Sequence, residues 1–181
     1  MGVLPEYKIR KLGILCENAI DREVIGGKSG GYSQTGYDLR VKQNIELYPG
    51  GFALASTIER FNMPWDVVGV VHDKSSWARE GVAIQNTVLE IGWRGFLTLE
   101  LSRHAPGSVY IPAGSPIGQV LFHRVEWGFW RRIGKLTRLW TPPLYSGKYQ
   151  DQEDMPVPSL SEPPLAAMPL RLRSRYPNKR K

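Results

Sequence analysis

The chain alternates short apolar runs with turn-forming residues over most of its length. From Tyr37 onward these runs are rich in β-branched and aromatic residues: YDLRV, IELYPGGFALAST, DVVGVVHD, GFLTLELS, GSVYIPAG and IGQVLFHRVEW. In GFLTLELS three leucines alternate with polar residues, so one face of that strand is apolar and the other carries the carboxylate of Glu100. Many strand-length segments separated by turn signals predict an all-β barrel or sandwich.

Two short stretches depart from this pattern and predict helices. PEYKIRKLG, residues 5–13, has a proline at its start, a partial apolar face and a terminal glycine. KSSWAREG, residues 74–81, predicts one or two helical turns with Ser75 or Ser76 as the N-cap and Gly81 at the end. No long helix is predicted in the middle of the chain, which argues against a doubly wound α/β fold.

The glycine-rich stretch GGKSGGYSQTG, residues 26–36, is a candidate phosphate-binding loop. It lacks the Gly-Lys-Ser/Thr ending, followed by a helix, that defines a P-loop. We therefore expect a flexible linker at this position.

The second predicted helix brings two polar side chains to one face. Ser75 and Arg79 stand at positions i and i+4, where a hydroxyl and a guanidinium face the same spot beside the helix start. Such a spot could bind a phosphate or a polarised carbonyl. On the local sequence alone, a capped surface turn with a solvated arginine is favoured slightly over a binding spot. Trp77 between them is expected in the core or in a subunit interface.

Composition and charge indicate one folded domain. The chain has 181 residues and a net charge of +7. Residues 156–181 hold six basic residues against one acidic residue, together with six of the 14 prolines. We therefore expect a β domain over residues 1–155 and a disordered or surface-draped basic tail over 156–181. With +2 remaining for the domain, no nucleic-acid partner is expected.

The sequence contains neither a signal peptide nor an apolar run of the roughly 20 residues that span a bilayer. A single cysteine, Cys16, excludes an intrachain disulfide. We therefore expect a cytoplasmic protein without a membrane partner.

The residue inventory also limits the chemistry. Zinc-dependent nucleobase deaminases require His-x-Glu and Pro-Cys-x-x-Cys, which one cysteine and three separated histidines cannot supply. The remaining candidates are carboxylates in apolar surroundings, Glu90 in NTVLEIGWRG and Glu100 in LTLEL. Either is also compatible with a buried structural acid paired with an arginine such as Arg94.

Six segments in order resemble the dCTP deaminase and dUTPase superfamily, and the deaminase branch more closely. They are YDLRV at 37–41, YPGGFALASTIE at 48–59, KSSWAREG at 74–81, LEIGWRGFLTLEL at 89–101, PAGSPIGQVLF at 112–122 and GKYQDQ at 147–152. The resemblance implies a distorted, jelly-roll-like β-barrel of the dUTPase type. It also implies a homotrimer with active sites at subunit boundaries.

The resemblance implies roles for particular residues. Glu100 matches the catalytic glutamate of the deaminases, which activates water and passes a proton to the cytosine and its departing amine. Ser75 and Arg79 match the assisting serine and arginine. Magnesium would be bound through the triphosphate, and no zinc is expected. The implied substrate-binding residues are Lys74, Ser76, Asn86, Glu90, Trp93, Gln119, Tyr145, Lys148 and Gln152.

Two alternatives to dCTP deamination stay open. In a dUTP diphosphatase Glu90, not Glu100, would be the essential acid, and an enzyme with both activities would give dUMP directly. However, the position of Glu100 is normally aliphatic in dUTPases, and their glycine-rich C-terminal arm is missing. The second alternative is a non-catalytic binding protein on the same trimeric scaffold, which would have no need to keep Ser75, Arg79, Glu100 and Lys148 together.

Overall fold

The computed structural model describes residues 2–159. Within this range the chain forms three helices: α1 (Glu6–Lys11), α2 (Ser75–Ala78) and α3 (Phe129–Leu136). The strands are β1 (Leu15–Glu17), β2 (Glu23–Ile25), β3 (Lys28–Ser33), β4 (Gly36–Arg40), β5 (Ile45–Leu47), β6 (Phe52–Asn62), β7 (Val67–Asp73), β8 (Val82–Ile84), β9 (Val88–Leu89), β10 (Arg94–Arg103), β11 (Val109–Ile111) and β12 (Pro116–Arg124).

The strands form three antiparallel sheets. A six-stranded sheet has the order β2-β3-β4-β12-β7-β9, a four-stranded sheet has the order β1-β6-β10-β8, and β11 pairs with β5. Alternate side chains of β5 and β7 are buried, as expected for strands with one face on the core. The apolar faces of the sheets meet in one buried cluster that includes Tyr37, Phe61, Leu99 and Phe122. The predicted all-β architecture is confirmed.

The glycine-rich stretch is not a linker, so that expectation is wrong. Residues 28–40 form the β3–β4 hairpin within the six-stranded sheet. Gly31 has φ +80°, and a Cβ atom there would lie 2.2 Å from the backbone oxygen of Asp21. Glycine is therefore required because another backbone segment passes directly over the hairpin.

The helices agree with the sequence in place but not in detail. α1 and α2 occupy the predicted stretches, and Trp77 is buried, with its indole N–H donating to the oxygen of Pro116 at 2.7 Å. The predicted serine N-cap of α2 is wrong: Lys74 occupies that position and makes no side-chain cap bond. α3 was not predicted, because its arginines follow an aromatic pair without a capping residue.

The expected tail lies mostly outside the described residues. The predicted tail spans 156–181, and the structure describes it only to residue 159. In this described part the backbone N–H of Val157 donates to Thr98 Oγ1 at 3.0 Å. The domain therefore holds the chain at least to this point.

The buried carboxylate of Glu59 connects strands β6 and β4 with the N-terminal part of the chain. Glu59 is completely buried and accepts hydrogen bonds from Arg40 N at 3.1 Å and Arg40 Nε at 2.7 Å, and from the Tyr37 hydroxyl at 3.2 Å. The same hydroxyl accepts from the backbone N–H of Ile20 at 3.0 Å. Burial raises the pKa of Glu59, and the bonds from Arg40 oppose that effect.

We expect Glu59→Ala to lower the free energy of unfolding by about 3–5 kcal/mol, because it leaves a largely buried arginine without its carboxylate. Chemical denaturation measures this loss. Glu17→Ala is the matched control: Glu17 pairs with Arg60 at 3.3 Å near the surface, where removal costs less than about 1 kcal/mol. Equal losses for the two variants would contradict the structural importance of the Glu59 network.

Candidate functional site

A cavity of about 410 Å³ lies against the four-stranded sheet, between β6, β10 and the chain after residue 144. Its walls are largely apolar with a few polar groups, which is the usual make-up of a small-molecule site. The lining residues are Phe52, Leu54, Thr87, Val88, Leu89, Glu90, Trp93, Leu97, Thr98, Glu100, Tyr145, Tyr149, Gln152, Val157 and Ser159. Five of the residues singled out from the sequence belong to this set: Glu90, Trp93, Glu100, Tyr145 and Gln152.

Glu100 is positioned by the alternation of β10. Its neighbours Leu99 and Leu101 point into the core, so the carboxylate points to the opposite face, where it is half-buried in the cavity wall. Thr87 Oγ1 lies 3.2 Å from Glu100 Oε2 and can donate to it. The Glu100 carbonyl also accepts from Gln85 N at 2.9 Å, which holds the Thr87 segment beside the strand. The carboxylate is thus oriented by a neighbouring hydroxyl.

The tight turn before β10 supplies a second wall. Trp93 N donates to the Glu90 oxygen at 3.0 Å, and the Trp93 side chain is buried against Phe61 with ring centroids 6.3 Å apart. The indole N–H donates to the oxygen of Tyr149 at 2.7 Å. Trp93 therefore holds the chain that closes the cavity, while the exposed Glu90 lies at its rim.

The closing segment, residues 145–157, is held by backbone hydrogen bonds. Tyr145 N donates to the Ile91 oxygen at 2.8 Å, and Phe96 N donates to the Gln152 oxygen at 3.0 Å. Gly95 has φ +139°, and a Cβ atom there would lie 2.6 Å from Gln152 N. The glycine therefore permits the closing segment to pair with the start of β10.

An ion pair adds to this attachment. Arg94 Nε and Nη2 donate to the two carboxylate oxygens of Asp151 at 2.6 and 3.0 Å. The Arg94 guanidinium lowers the pKa of Asp151, so the pair persists as pH falls until that lowered value is reached. Arg94 thus has a partner other than the two candidate catalytic acids.

The other predicted residues lie elsewhere in this chain. Ser75 and Arg79 are exposed on α2, and Lys74 is buried with its Nζ 3.0 Å from both Asp38 Oδ2 and Ser29 Oγ. The Ser76 hydroxyl is buried and has no hydrogen-bond partner among the described residues.

Three further predicted residues lie in other parts of the chain. Gln119 donates to Ser33 at 3.2 Å, Asn86 is exposed, and Lys148 lies over the Tyr149 ring at 5.1 Å. These seven residues do not line the cavity.

Thr87, Thr98 and Tyr149 are among the lining residues that were missed from the sequence. Thr87 lies in the exposed-looking NTV stretch, and its role depends on pairing with β10. Thr98 shares the polar face of β10 with Glu100, and the alternation in GFLTLELS could have identified it. Tyr149 stands inside the GKYQDQ segment and could have been included with its neighbours.

The charge of the cavity is one-sided. Its lining includes Glu90 and Glu100 but no lysine or arginine in the part of the chain that the structure describes. The cations Lys74 and Arg79 flank α2 instead. Within residues 2–159 no group of three His, Cys, Asp or Glu side chains could hold a metal ion. None of the helices in this range is long and apolar enough to cross a membrane.

Comparison with solved structures defines the fold class. The 2'-deoxycytidine 5'-triphosphate deaminase of Agrobacterium tumefaciens superimposes with a TM-score of 0.54 at 19% identity, covering 69% of this chain and 48% of that one. The dUTPase of Staphylococcus bacteriophage 80alpha gives a TM-score of 0.50 at 18% identity, covering 75% and 93%. At these identities the likeness concerns the fold alone, and it is a dUTPase-type β fold.

Sequence comparison then identifies the family. A family model described as dCTP deaminase-like matches residues 22–125. A dCTP deaminase of Protochlamydia amoebophila is 31% identical over 161 residues, covering 73% of this chain and 81% of the relative. A dCTP deaminase of Anaplasma phagocytophilum is 29% identical over 194 residues, covering 89% of this chain and all of the relative. The chain belongs to the dCTP deaminase-like family, as the resemblance of its motifs predicted.

We expect Gly95→Ala to detach the closing segment, because the added methyl group meets the backbone of Gln152. Hydrogen exchange of the Phe96 amide, which donates to Gln152, should become at least about tenfold faster. Gly107→Ala is the matched control, because Gly107 also has positive φ, +78°, but nothing lies within 4 Å of the added atom. Unchanged exchange at Phe96 in Gly95→Ala would contradict the proposed close approach.

Proposed function

We propose that this protein deaminates dCTP to dUTP without zinc, using Glu100 as the proton-transfer group. The observation that carries the proposal is the half-buried Glu100 carboxylate, held by Thr87 in the wall of an apolar cavity. Membership of the dCTP deaminase-like family and the match of Glu100 to the family's glutamate support the same assignment. Because dCTP is a free nucleotide, we infer that the protein works in the cytoplasm.

The reaction requires one proton-transfer group that acts twice. Glu100 accepts a proton from water as the water oxygen bonds to C4 of cytosine, and it passes this proton to N3. The second proton of the attacking water goes to the exocyclic amino group, the C4–N bond breaks, and ammonia leaves. N3 keeps its proton, as in uracil, while the oxygen of the attacking water becomes the C4 carbonyl, so water and dCTP give dUTP and ammonia. The apolar walls limit bulk water near the reacting carbon.

The triphosphate needs cations that the cavity wall does not contain. A cavity that carries only negative side chains would repel the triphosphate. Cationic and hydrogen-bonding groups are found around α2 instead: Lys74, Arg79 and the buried hydroxyl of Ser76. We infer that α2 of a second copy faces the cavity, within a homotrimer with shared sites such as the family resemblance implies. In this arrangement Ser75 and Arg79 assist the water and the base. Magnesium arrives with the triphosphate, whose oxygens it prefers, and reduces its charge.

A second candidate function is dUTP hydrolysis, alone or after deamination. Glu90 favours it, because this carboxylate lies at the rim of the same cavity and matches the position of the dUTPase aspartate. The two activities give different products: dUTP and ammonia from dCTP in the first case, and dUMP with pyrophosphate in the second.

We expect Glu100→Gln to lower ammonia release from dCTP by about 10²–10⁴-fold, because the amide cannot accept the water proton. Products of dCTP and, separately, dUTP with magnesium are resolved by chromatography. Glu46→Gln is the control, since Glu46 is exposed on β5 outside the cavity. An active Glu100→Gln enzyme would contradict the mechanism. If dUTP hydrolysis survives Glu100→Gln but is lost in Glu90→Gln, the protein has the second function.

We expect the Arg79→Ala protein to be inactive alone, but to regain activity when it is mixed with the Glu100→Gln protein. When the two inactive variants assemble at random, about one quarter of shared sites combine an intact glutamate with an intact arginine. The mixture, refolded together, should therefore recover about one quarter of wild-type turnover. Mixing Arg79→Ala with Lys74→Ala is the control, because both changes fall on the same copy's α2. Absence of rescue would contradict sites shared between copies.

A further inference from the structure

Helix α3 presents its apolar face to solvent. The helix spans Phe129–Leu136, and at 100° per residue its apolar residues fall on one side and its basic residues on the other. A surface helix normally covers the core with the apolar side. Here Phe129, Trp130 and Leu136 are 69%, 80% and 83% exposed, and the following Leu139 is 86% exposed. We call these four side chains the outer face.

The opposite side of α3 is fixed to the domain. Arg131 lies over the rings of Trp127 and Trp140, at 5.8 and 5.7 Å from their centroids, and Arg132 Nη2 lies 3.9 Å from Asp66. Trp127 and Trp140 are in contact with centroids 5.1 Å apart, and Trp127 stacks on Trp65 of the barrel. The helix is therefore attached to the domain through Arg131, Arg132 and the tryptophans that flank it, and the outer face remains exposed to solvent.

The stretch of sequence that contains the outer face carries basic but no acidic residues. Residues 127–150 contain no aspartate or glutamate, and they contain five basic residues: Arg131, Arg132, Lys135, Arg138 and Lys148. This region begins beyond residue 125, where the match to the dCTP deaminase-like family ends. Exposed aromatic and leucine side chains beside lysine and arginine are the composition of helices that lie in a membrane interface.

We propose that the outer face docks the protein onto an anionic lipid surface. The leucines and aromatic rings insert at the level of the headgroups, and Lys135 and Arg138 contact the lipid phosphates. This departs from the expectation from the sequence, which foresaw no membrane partner. Lipid fits better than nucleic acid, because two of the four exposed side chains are aliphatic and offer no stacking surface to bases. It also fits better than the same face of a second copy, which would oppose like charges.

The test uses the full chain in flotation assays with vesicles of phosphatidylcholine mixed with phosphatidylglycerol, and of phosphatidylcholine alone. We expect binding to the anionic vesicles only. Trp130→Ser combined with Leu136→Ser should weaken it at least about tenfold through lost apolar burial. Lys135→Gln combined with Arg138→Gln should weaken it roughly 25-fold, at about fivefold for each charge. These residues lie outside the cavity, so dCTP turnover and the melting temperature should stay unchanged.

Two controls separate this surface from other sources of affinity. The six basic residues of the C-terminal tail are neutralised by replacing each with glutamine: Arg171, Arg173, Arg175, Lys179, Arg180 and Lys181. Binding that disappears in this variant but survives both α3 variants would overturn the proposal. So would absence of vesicle binding, including the case in which a single-stranded oligonucleotide binds through α3 instead. Retained vesicle binding in the tail variant and loss in both α3 variants would support it.

Discussion

The pairing of the closing segment with the start of β10 is the constraint on which the candidate site depends. Two backbone bonds, from Phe96 N to the Gln152 oxygen and from Asp151 N to the Arg94 oxygen, place this segment over the sheet. Tyr145, Tyr149 and Gln152 thereby become walls of the cavity. Without this pairing the face of β10 that carries Glu100 would be an open surface, and its carboxylate would be solvated rather than half-buried.

The separation of charge gives the site a second dependence. One chain supplies the carboxylates and the apolar walls, and its cationic α2 stands apart from them. Within the chain the ammonium group of Lys74 is paired with the carboxylate of Asp38, away from the cavity. A binding site assembled from two copies would therefore meet its complete set of charges only in the oligomer.

The strands and five of the cavity's lining residues could be predicted from the sequence, for physical reasons that differ between residues. Glu100 was found because strand alternation is local and fixes which face a residue occupies. The β3–β4 hairpin was mistaken for a linker because its glycines were interpreted as a sign of flexibility. Gly31 is needed instead because the backbone of Asp21 passes close to it in space, which the local sequence pattern does not reveal. Thr87 was missed for the same reason, since its partner Glu100 is defined by register between strands. The outward-facing α3 contradicts the rule that apolar faces turn inward, so periodicity alone could not orient it.

The short connection between α3 and the closing segment limits how far that segment can travel. Only residues 137–144 separate Leu136 from Tyr145, and eight residues reach at most about 25–30 Å when fully extended. Since Trp127 and Trp140, which flank α3, pack against Trp65, the closing segment is tethered at that end. The closing segment can therefore cover only the cavity of its own chain or, in an oligomer, that of an immediately adjoining copy.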